Sequence, residues 1–299
     1  MDEIINLQTI DQYNDLFGFE TLHPLVSVID FSKAVRRIEN VRLNYGFYAL
    51  YLKDVQCGDL RYGRQYYDYQ DGTIVCIAPG QIVGIGKRNP DVKPRSVGLL
   101  FHPDLIRATS LGQTLKNYTF FSYEANEALH LSEEERQIVL DCLHKIQREL
   151  QHPVDRHTRQ LVAMNIGLLL DYCLRFYERQ FATRNQVNKD ILVKFEQLLD
   201  AYFEEHIAQR EGLPTVKYFA EKVFLSPNYF GDLIKKETGK SAQENIQLKL
   251  IAVAKDRIRH TDDNVSRIAY ELGFQYPQHL SRLFKKHMGC TPNEYRLQG

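Results

Sequence analysis

Val216-Lys-Tyr-Phe-Ala-Glu-Lys-Val223 and Phe230-Gly-Asp-Leu-Ile-Lys-Lys236 return further along the chain as Val265-Ser-Arg-Ile-Ala-Tyr-Glu-Leu272 and Leu280-Ser-Arg-Leu-Phe-Lys-Lys286. Val216, Phe219, Ala220 and Val223 recur 49 positions later. Phe230, Leu233, Ile234, Lys235, Lys236, Gly239, Ser241 and Glu244 recur 50 positions later, the last two as Thr291 and Glu294. The second copy therefore carries one extra residue in its turn. A repeat of this kind is one supersecondary unit used twice. Each copy, over about 213–239 and 264–289, reads as a short helix, a tight turn and a second helix. Ala220 and Ala269 are small where two helices cross closely. Ser226-Pro227 supplies an N-cap and a first-turn proline, Pro277 opens the later helix in the same way, and Gly239 and Gly289 end the two second helices.

Phe230, Leu233 and Ile234, and likewise Leu280, Leu283 and Phe284, face inward and leave the polar side chains between them outside, where they are free to enter a major groove. Ala242 to His260 forms one amphipathic spacer helix, about 28 Å long at 1.5 Å per residue. That is close to one DNA turn of about 34 Å, so the spacer suits two second helices set in successive major grooves. Helix-turn-helix geometry also packs domains that never touch DNA. Against that bland reading stand the duplication, the matching Lys-Lys pairs and the charge. From Leu213 to Gly299 there are 14 Lys plus Arg against 9 Asp plus Glu, a net of +5; the whole chain sums to zero, so the remainder carries −5. The basic tail calls for an anionic partner, and the front part has no reason to touch nucleic acid.

At 299 residues and 43% apolar content the chain is long enough for two cores. Residues from about 20 to 125 are rich in Tyr, Val, Ile and Gly, with turn signals at Asp71-Gly72 and Pro79-Gly80, and read as antiparallel β structure. Ser132 with Glu135 makes a capping-box signature that opens a helix through Ile138, Leu140, Leu143, Ile146 and Leu150. A second long helix runs from about Arg156 to Phe181, apolar almost all round between Leu161 and Phe176, so it needs cover on several sides. Burial within one subunit and pairing with a second copy both satisfy that need, and pairing is the sharper reading. The polar segment Ala182 to Lys189 marks the change of domain. The expected organisation is 1–185, a sensor and dimerisation domain, and 186–299, a helical domain with two helix-turn-helix units.

At Ile268-Ala269, Gly273-Phe274, Leu280 to Lys286 and Gly289-Cys-Thr-Pro-Asn-Glu-Tyr-Arg296 the chain closely resembles the AraC/XylS family of bacterial regulators. The resemblance covers about 188–299 and implies double-stranded DNA as partner, with both second helices in adjacent major grooves. It puts the base-facing positions of the later helix on Pro277, Gln278, Ser281 and Arg282, with Tyr276 just ahead. Arginine suits guanine and glutamine suits adenine. The earlier helix departs from the commoner family pattern, holding Asn228, Gly231 and Asp232 at positions that often carry an aromatic, a Gln and an Arg. Asn228 and Tyr229 are its best remaining contacts. Asp232 is unfavourable near phosphate unless it accepts from a cytosine amino group or pairs with a neighbouring side chain, and Lys235, Lys236, Lys285 and Lys286 suit the backbone.

More weakly, Tyr69 to Gly80 and Leu99 to Asp104 resemble the cupin-like sensor domain of such regulators. The resulting fold class is α+β, with a cupin-like antiparallel β-barrel and a helical dimerisation region before the all-α tail. By the same likeness a small-molecule effector would meet Phe47, Tyr48, Tyr51, Tyr62, Tyr66 and Tyr67 with Arg61 and Arg64, of which strand alternation points about half inward. The first 20 residues would form an arm over that pocket. A regulator also implies RNA polymerase as a partner. The alternative is a constitutive DNA-binding regulator whose front part only dimerises.

Other classes find little footing. His23, His102 and His130 lack metal-ligand spacing, which speaks against a metal or other cofactor and against a cupin enzyme fused to the tail. Gly80 to Lys87 has the wrong spacing for a phosphate loop, with Arg88 where Ser or Thr is required. Glu133 to Glu135 belong to a first helical turn, and His152, Asp155 and His157 to a solvated turn. No nucleophile motif of a hydrolase occurs. Cys57, Cys76, Cys142, Cys173 and Cys290 are far apart, as free thiols of a reducing compartment would be. With no apolar run near the roughly 20 residues of a membrane span and no basic leader, a cytoplasmic location is expected.

Overall fold

The computed structural model describes residues 4–53, 60–62, 65–66, 72–86, 96–124 and 127–297, with backbone alone at 60–62, 65–66 and 185–186. The chain is α+β and divides into two compact units, Met1–Thr183 and Arg184–Gly299.

The first unit runs β1 (Ile4–Leu7), α1 (Ile10–Phe17), β2 (Val26–Asp30), β3 (Val41–Tyr45), β4 (Tyr48–Lys53), β5 (Leu60–Tyr62), β6 (Gln65–Tyr66), β7 (Thr73–Ile77), β8 (Ile82–Ile85), β9 (Ser96–Phe101), α2 (Pro103–Ile106), α3 (Ser110–Thr114), β10 (Leu129–His130), α4 (Glu133–Gln151) and α5 (Thr158–Thr183). Two five-stranded sheets result, ordered β1-β3-β8-β5-β6 and β10-β7-β4-β9-β2. Among the described residues no pairing joins them into the closed barrel of the sequence reading. One pair departs from the antiparallel expectation: β1 lies parallel to β3, Ile4 opposite Arg42 and Leu7 opposite Tyr45. The intervening α1 and β2 supply the long crossover that a parallel pair requires.

Strand alternation turns Leu43, Tyr45, Val83 and Ile85 of one sheet and Ala49, Tyr51, Val75 and Ile77 of the other into a shared core. The expected arm takes part in that core. Thr9 and Gln12 form a capping box that starts α1, and Gly18 at φ 76° stops it. Between them Ile10, Tyr13 and Phe17 are buried, and full burial of an apolar side chain contributes about 1.5–3 kcal/mol.

Helices α4 and α5 pack together and are pinned at one end. Ser132 and Glu135 make the capping box of α4. Arg179 of α5 then donates to both oxygens of Glu135, at 3.0 and 2.6 Å, and to the carbonyl of His130 at 2.6 Å. Such a bidentate guanidinium bridge fixes both position and orientation. Cys76, Cys142 and Cys173 are free and buried, Cys290 is free and half-buried, and Cys57 lies outside the described residues. Burial pushes the Cys76 and Cys173 thiols well up, so neither is a reactive thiolate.

Among its described residues the second unit contains helices joined by turns and loops: α6 (Asn185–Glu204), α7 (Ile207–Glu211), α8 (Val216–Lys222), α9 (Pro227–Thr238), α10 (Ala242–His260), α11 (Val265–Glu271), α12 (Pro277–Met288) and α13 (Pro292–Leu297). Among the described residues no helix is long and apolar enough to cross a membrane.

Candidate nucleic-acid interface

Local chemistry sets where each helix of the duplicated unit begins and ends. The Thr215 hydroxyl accepts from the Tyr218 N–H, and that of Ser226 from the Tyr229 N–H. Asn264 accepts from Arg267 N–H, while Ser241 with Glu244 and Thr291 with Glu294 cap reciprocally. Gly239 and Gly289 stop α9 and α12 in the left-handed region, at φ 72° and 78°. Behind the outward faces, Phe219, Ala220, Phe230, Leu233 and Ile234 are fully buried in the first copy, as are Ile268, Ala269, Leu280 and Phe284 in the second. Leu283, read as inward, is half-buried. Phe195 of α6 meets Phe219 and Phe230 edge-on, both at 5.2 Å between ring centres.

The motif ending at Arg296 is structural. Tyr295 packs edge-on against Phe284 at 5.3 Å and lies beneath the Arg259 guanidinium at 4.6 Å. Arg296 donates to the carbonyls of Ile258 and Asp263 at 3.0 and 2.6 Å, closing the end of α10 against the turn before α11. Glu271 of α11 accepts from Arg257 of α10 at 2.9 Å and from Arg267 at 3.1 Å. These bonds tie the second copy to the spacer helix.

On α12 the expected residues come together. Gln278, Arg282, Lys285 and Lys286 are all exposed, and spacings of four, seven and eight put them on one side of a helix. Arg282 makes no hydrogen bond or ion pair among the described residues. Ser281 is half-buried and its hydroxyl donates back to the Pro277 carbonyl at 3.4 Å, which partly occupies it. Tyr276 is 55% exposed. Its ring meets His279 edge-on at 5.6 Å. His279, exposed between Gln278 and Arg282, is a polar surface group that motif reading passed over.

On α9 the picture is thinner. Asn228, Lys235 and Lys236 are exposed, Gly231 and Asp232 half-buried. Tyr229, expected to touch a base, is 3% exposed, so its ring belongs to the core and not to the outward face. Its helical spacing from Leu233, a full turn later, carried that signal.

Of the expected effector residues, only Phe47, Tyr48 and Tyr51 have described side chains. Tyr51 is buried between the sheets, where its hydroxyl donates to that of Tyr13 at 2.8 Å and lies 3.2 Å from that of Tyr45. Burial pushes its ionisation far up, so it acts as a neutral hydrogen-bonding group. Tyr48 lies at the opposite parity of the same strand and stacks on Phe101 at 5.0 Å, away from that cluster. Phe47 joins the core. Arg61 on β5 is in register with Tyr66 on β6, and Tyr62 with Gln65. Arg64 and Tyr67 lie outside the described residues.

A family model described as a helix-turn-helix domain matches residues 219–298. Residues 219–298 carry an AraC-type helix-turn-helix domain. The chain is 39% identical over 95 residues to the uncharacterized transcriptional regulatory protein YesN of Bacillus subtilis, covering 30% of this chain and 26% of that one. It is 31% identical over 98 residues to the transcriptional activator RhaS of Escherichia fergusonii, covering 33% and 34%. Both matches span about a third or less of the relative's length. Among solved structures, the C-terminal domain of AraT, a response regulator from Geobacillus stearothermophilus, is 27% identical, with 36% of this chain and 85% of that one covered and a TM-score of 0.33.

Proposed function

We propose that the chain is a sequence-specific, DNA-binding transcription regulator. In this reading residues 186–299 grip duplex DNA through α9 and α12, and residues 1–185 sense a small molecule and hold two copies together. The observation that carries it is the outward face of α12, where an uncommitted guanidinium, Arg282, stands one turn from the amide of Gln278 above two lysines. That is the donor set a major groove reads, Arg on guanine and Gln on adenine, with cations left for phosphate. The activator RhaS and the regulator YesN, to which the unit is similar, support the role.

The sensor part rests on less. Its support is the likeness to cupin-like sensors and the hydroxyl chain Tyr13, Tyr51 and Tyr45, a polar feature inside an apolar core. One observation favours the constitutive reading: Ile10, Tyr13 and Phe17 of α1 are buried in one apolar cluster with side chains of both sheets.

The test is to capture genomic fragments with the full chain at near-physiological salt and to footprint the tightest. Two protected segments about 10 base pairs apart are expected. Arg282→Ala should then cost about 1–3 kcal/mol on the selected site and relax one base position. Equal loss on random DNA would remove Arg282 from base reading, and the absence of any preferred fragment would sink the function itself. For the sensor part, a ligand that raises the unfolding temperature and whose footprint in hydrogen exchange falls within residues 20–125 is the expected sign.

A further inference from the structure

The two turns between paired helices are the same closure made with different residues. In the first, the Leu225 N–H donates to the Ala220 carbonyl at 3.0 Å and the Phe224 N–H to that of Glu221 at 3.2 Å. In the second, Phe274 donates to Ala269 and Gly273 to Tyr270, both at 3.0 Å. Each closure places one residue in the left-handed region, where glycine is favoured. In the second turn that residue is Gly273, at φ 88°, and a Cβ there would lie 2.5 Å from the carbonyl carbon of Gly212. In the first it is Phe224, at φ 60°.

Phenylalanine is a poor choice for that backbone, and its ring does not compensate by burial, since Phe224 is 72% exposed. A contact it does make is with a cation: the Lys194 ammonium of α6 stands 5.9 Å from the ring centre. Lys222, two residues earlier, is exposed and lies over the Tyr218 ring at 5.4 Å. The nearby acid Glu221 is 3.8 Å from Lys217, so it is already countered. The surface is thus an apolar ring beside cations, two residues ahead of the Ser226 cap of α9.

We infer that Phe224 and Lys194 form a sugar–phosphate contact of the first helix-turn-helix unit, the ring against a deoxyribose at the groove edge and the ammonium on an adjoining phosphate. The inference rests on the DNA-binding reading above and extends it to residues outside both second helices. Charge selects the occupant, because a duplex backbone alternates apolar sugar faces with anions at the entrance through which α9 would pass. It also accounts for an oddity of α9. With Gly231 and Asp232 on its outward side, that helix offers few base contacts, and a grip at its entrance anchors the unit without reading sequence.

The experiment compares the full chain with Phe224→Gly and Lys194→Ala. Each is titrated against a footprinted fragment and a shuffled duplex over a range of salt, alongside thermal unfolding. Because glycine suits the left-handed turn, Phe224→Gly should unfold at the same temperature or higher, yet bind both duplexes several-fold more weakly. Lys194→Ala should reduce the slope of log affinity against log salt by about 0.9, the value of one phosphate contact. Unchanged affinity in Phe224→Gly would overturn the contact while leaving the DNA-binding reading intact. A marked drop in its unfolding temperature would assign the ring to packing and overturn it equally. If the wild type protects no fragment, both readings fall together.

Discussion

Lys236 and Lys286 hold the same place in the two repeats, in the last turns of α9 and α12. Two physical roles compete there. A cation at a helix C-terminus is stabilised by the helix dipole, by about 0.3–1 kcal/mol when exposed. A cation beside a groove instead releases a counterion from phosphate. The two separate cleanly by salt. Lys286, exposed and without a hydrogen bond or ion pair among the described residues, is the better probe, because the charge of Lys285 already acts on Glu294. Lys286→Ala should weaken specific and random duplexes alike and flatten the salt dependence by about 0.9 in slope. A lower unfolding temperature with the slope intact would leave it only the dipole role.

Helix starts in the second unit depend on carboxylates as well as hydroxyls, and this gives stability a pH signature. Glu244 accepts from the hydroxyl and the N–H of Ser241, both at 2.7 Å, and these bonds hold its carboxyl below the usual range. A carboxyl with a depressed folded-state pKa stabilises above its unfolded value of about 4.3 and loses that contribution as pH falls through the lower folded value. Glu244→Gln, which keeps the shape but not the charge, should therefore unfold at a lower temperature than the wild type near pH 7. The difference should close on acidification below the ordinary carboxylate range, as followed by circular dichroism. A difference that persists in strong acid would mean that shape, not charge, matters at the cap. These caps are also why so much of the helical architecture was legible: Ser132 with Glu135, Ser226-Pro227, Ser241 with Glu244, and Gly239 and Gly289 act within one turn of chain, so sequence spacing alone reveals them. The misreadings needed periodicity or distant partners. Tyr229 looked like a base contact by its place in a motif, though its spacing from Leu233 marks it as core. Tyr48 and Tyr51 behave as the alternation rule requires, an odd separation along the strand sending them to opposite faces. The parallel β1–β3 pair and the burial of α1 depend on contacts tens of residues apart. Phe224 lies 49 positions before Gly273, the offset of the repeat itself.

Two grips on DNA hold better than one, so the quaternary arrangement belongs to the function proposed. Along α5, Leu161, Met164 and Leu168 are 43%, 59% and 41% exposed, at spacings of three and four, which puts them on one side of the helix. The opposite side is fully engaged through Val162, Ile166, Leu169, Leu170 and Cys173, so the folded unit has no further need of the outer stripe. An apolar stripe left in water on a helix whose other face is buried suits a second copy of itself across a two-fold axis. Met164→Glu, and separately Leu168→Glu, should leave the far-ultraviolet spectrum unchanged, because both side chains already face water. In sedimentation equilibrium each should shift the chain toward a monomer. On a fragment with two half-sites the loss of linkage should lower affinity by about 10²–10⁴-fold, while binding to a single half-site stays as it was. A wild type that sediments as a monomer would remove this interface. A glutamate variant that still dimerises would move the interface elsewhere on the chain, leaving the α5 stripe as ordinary exposed apolar surface.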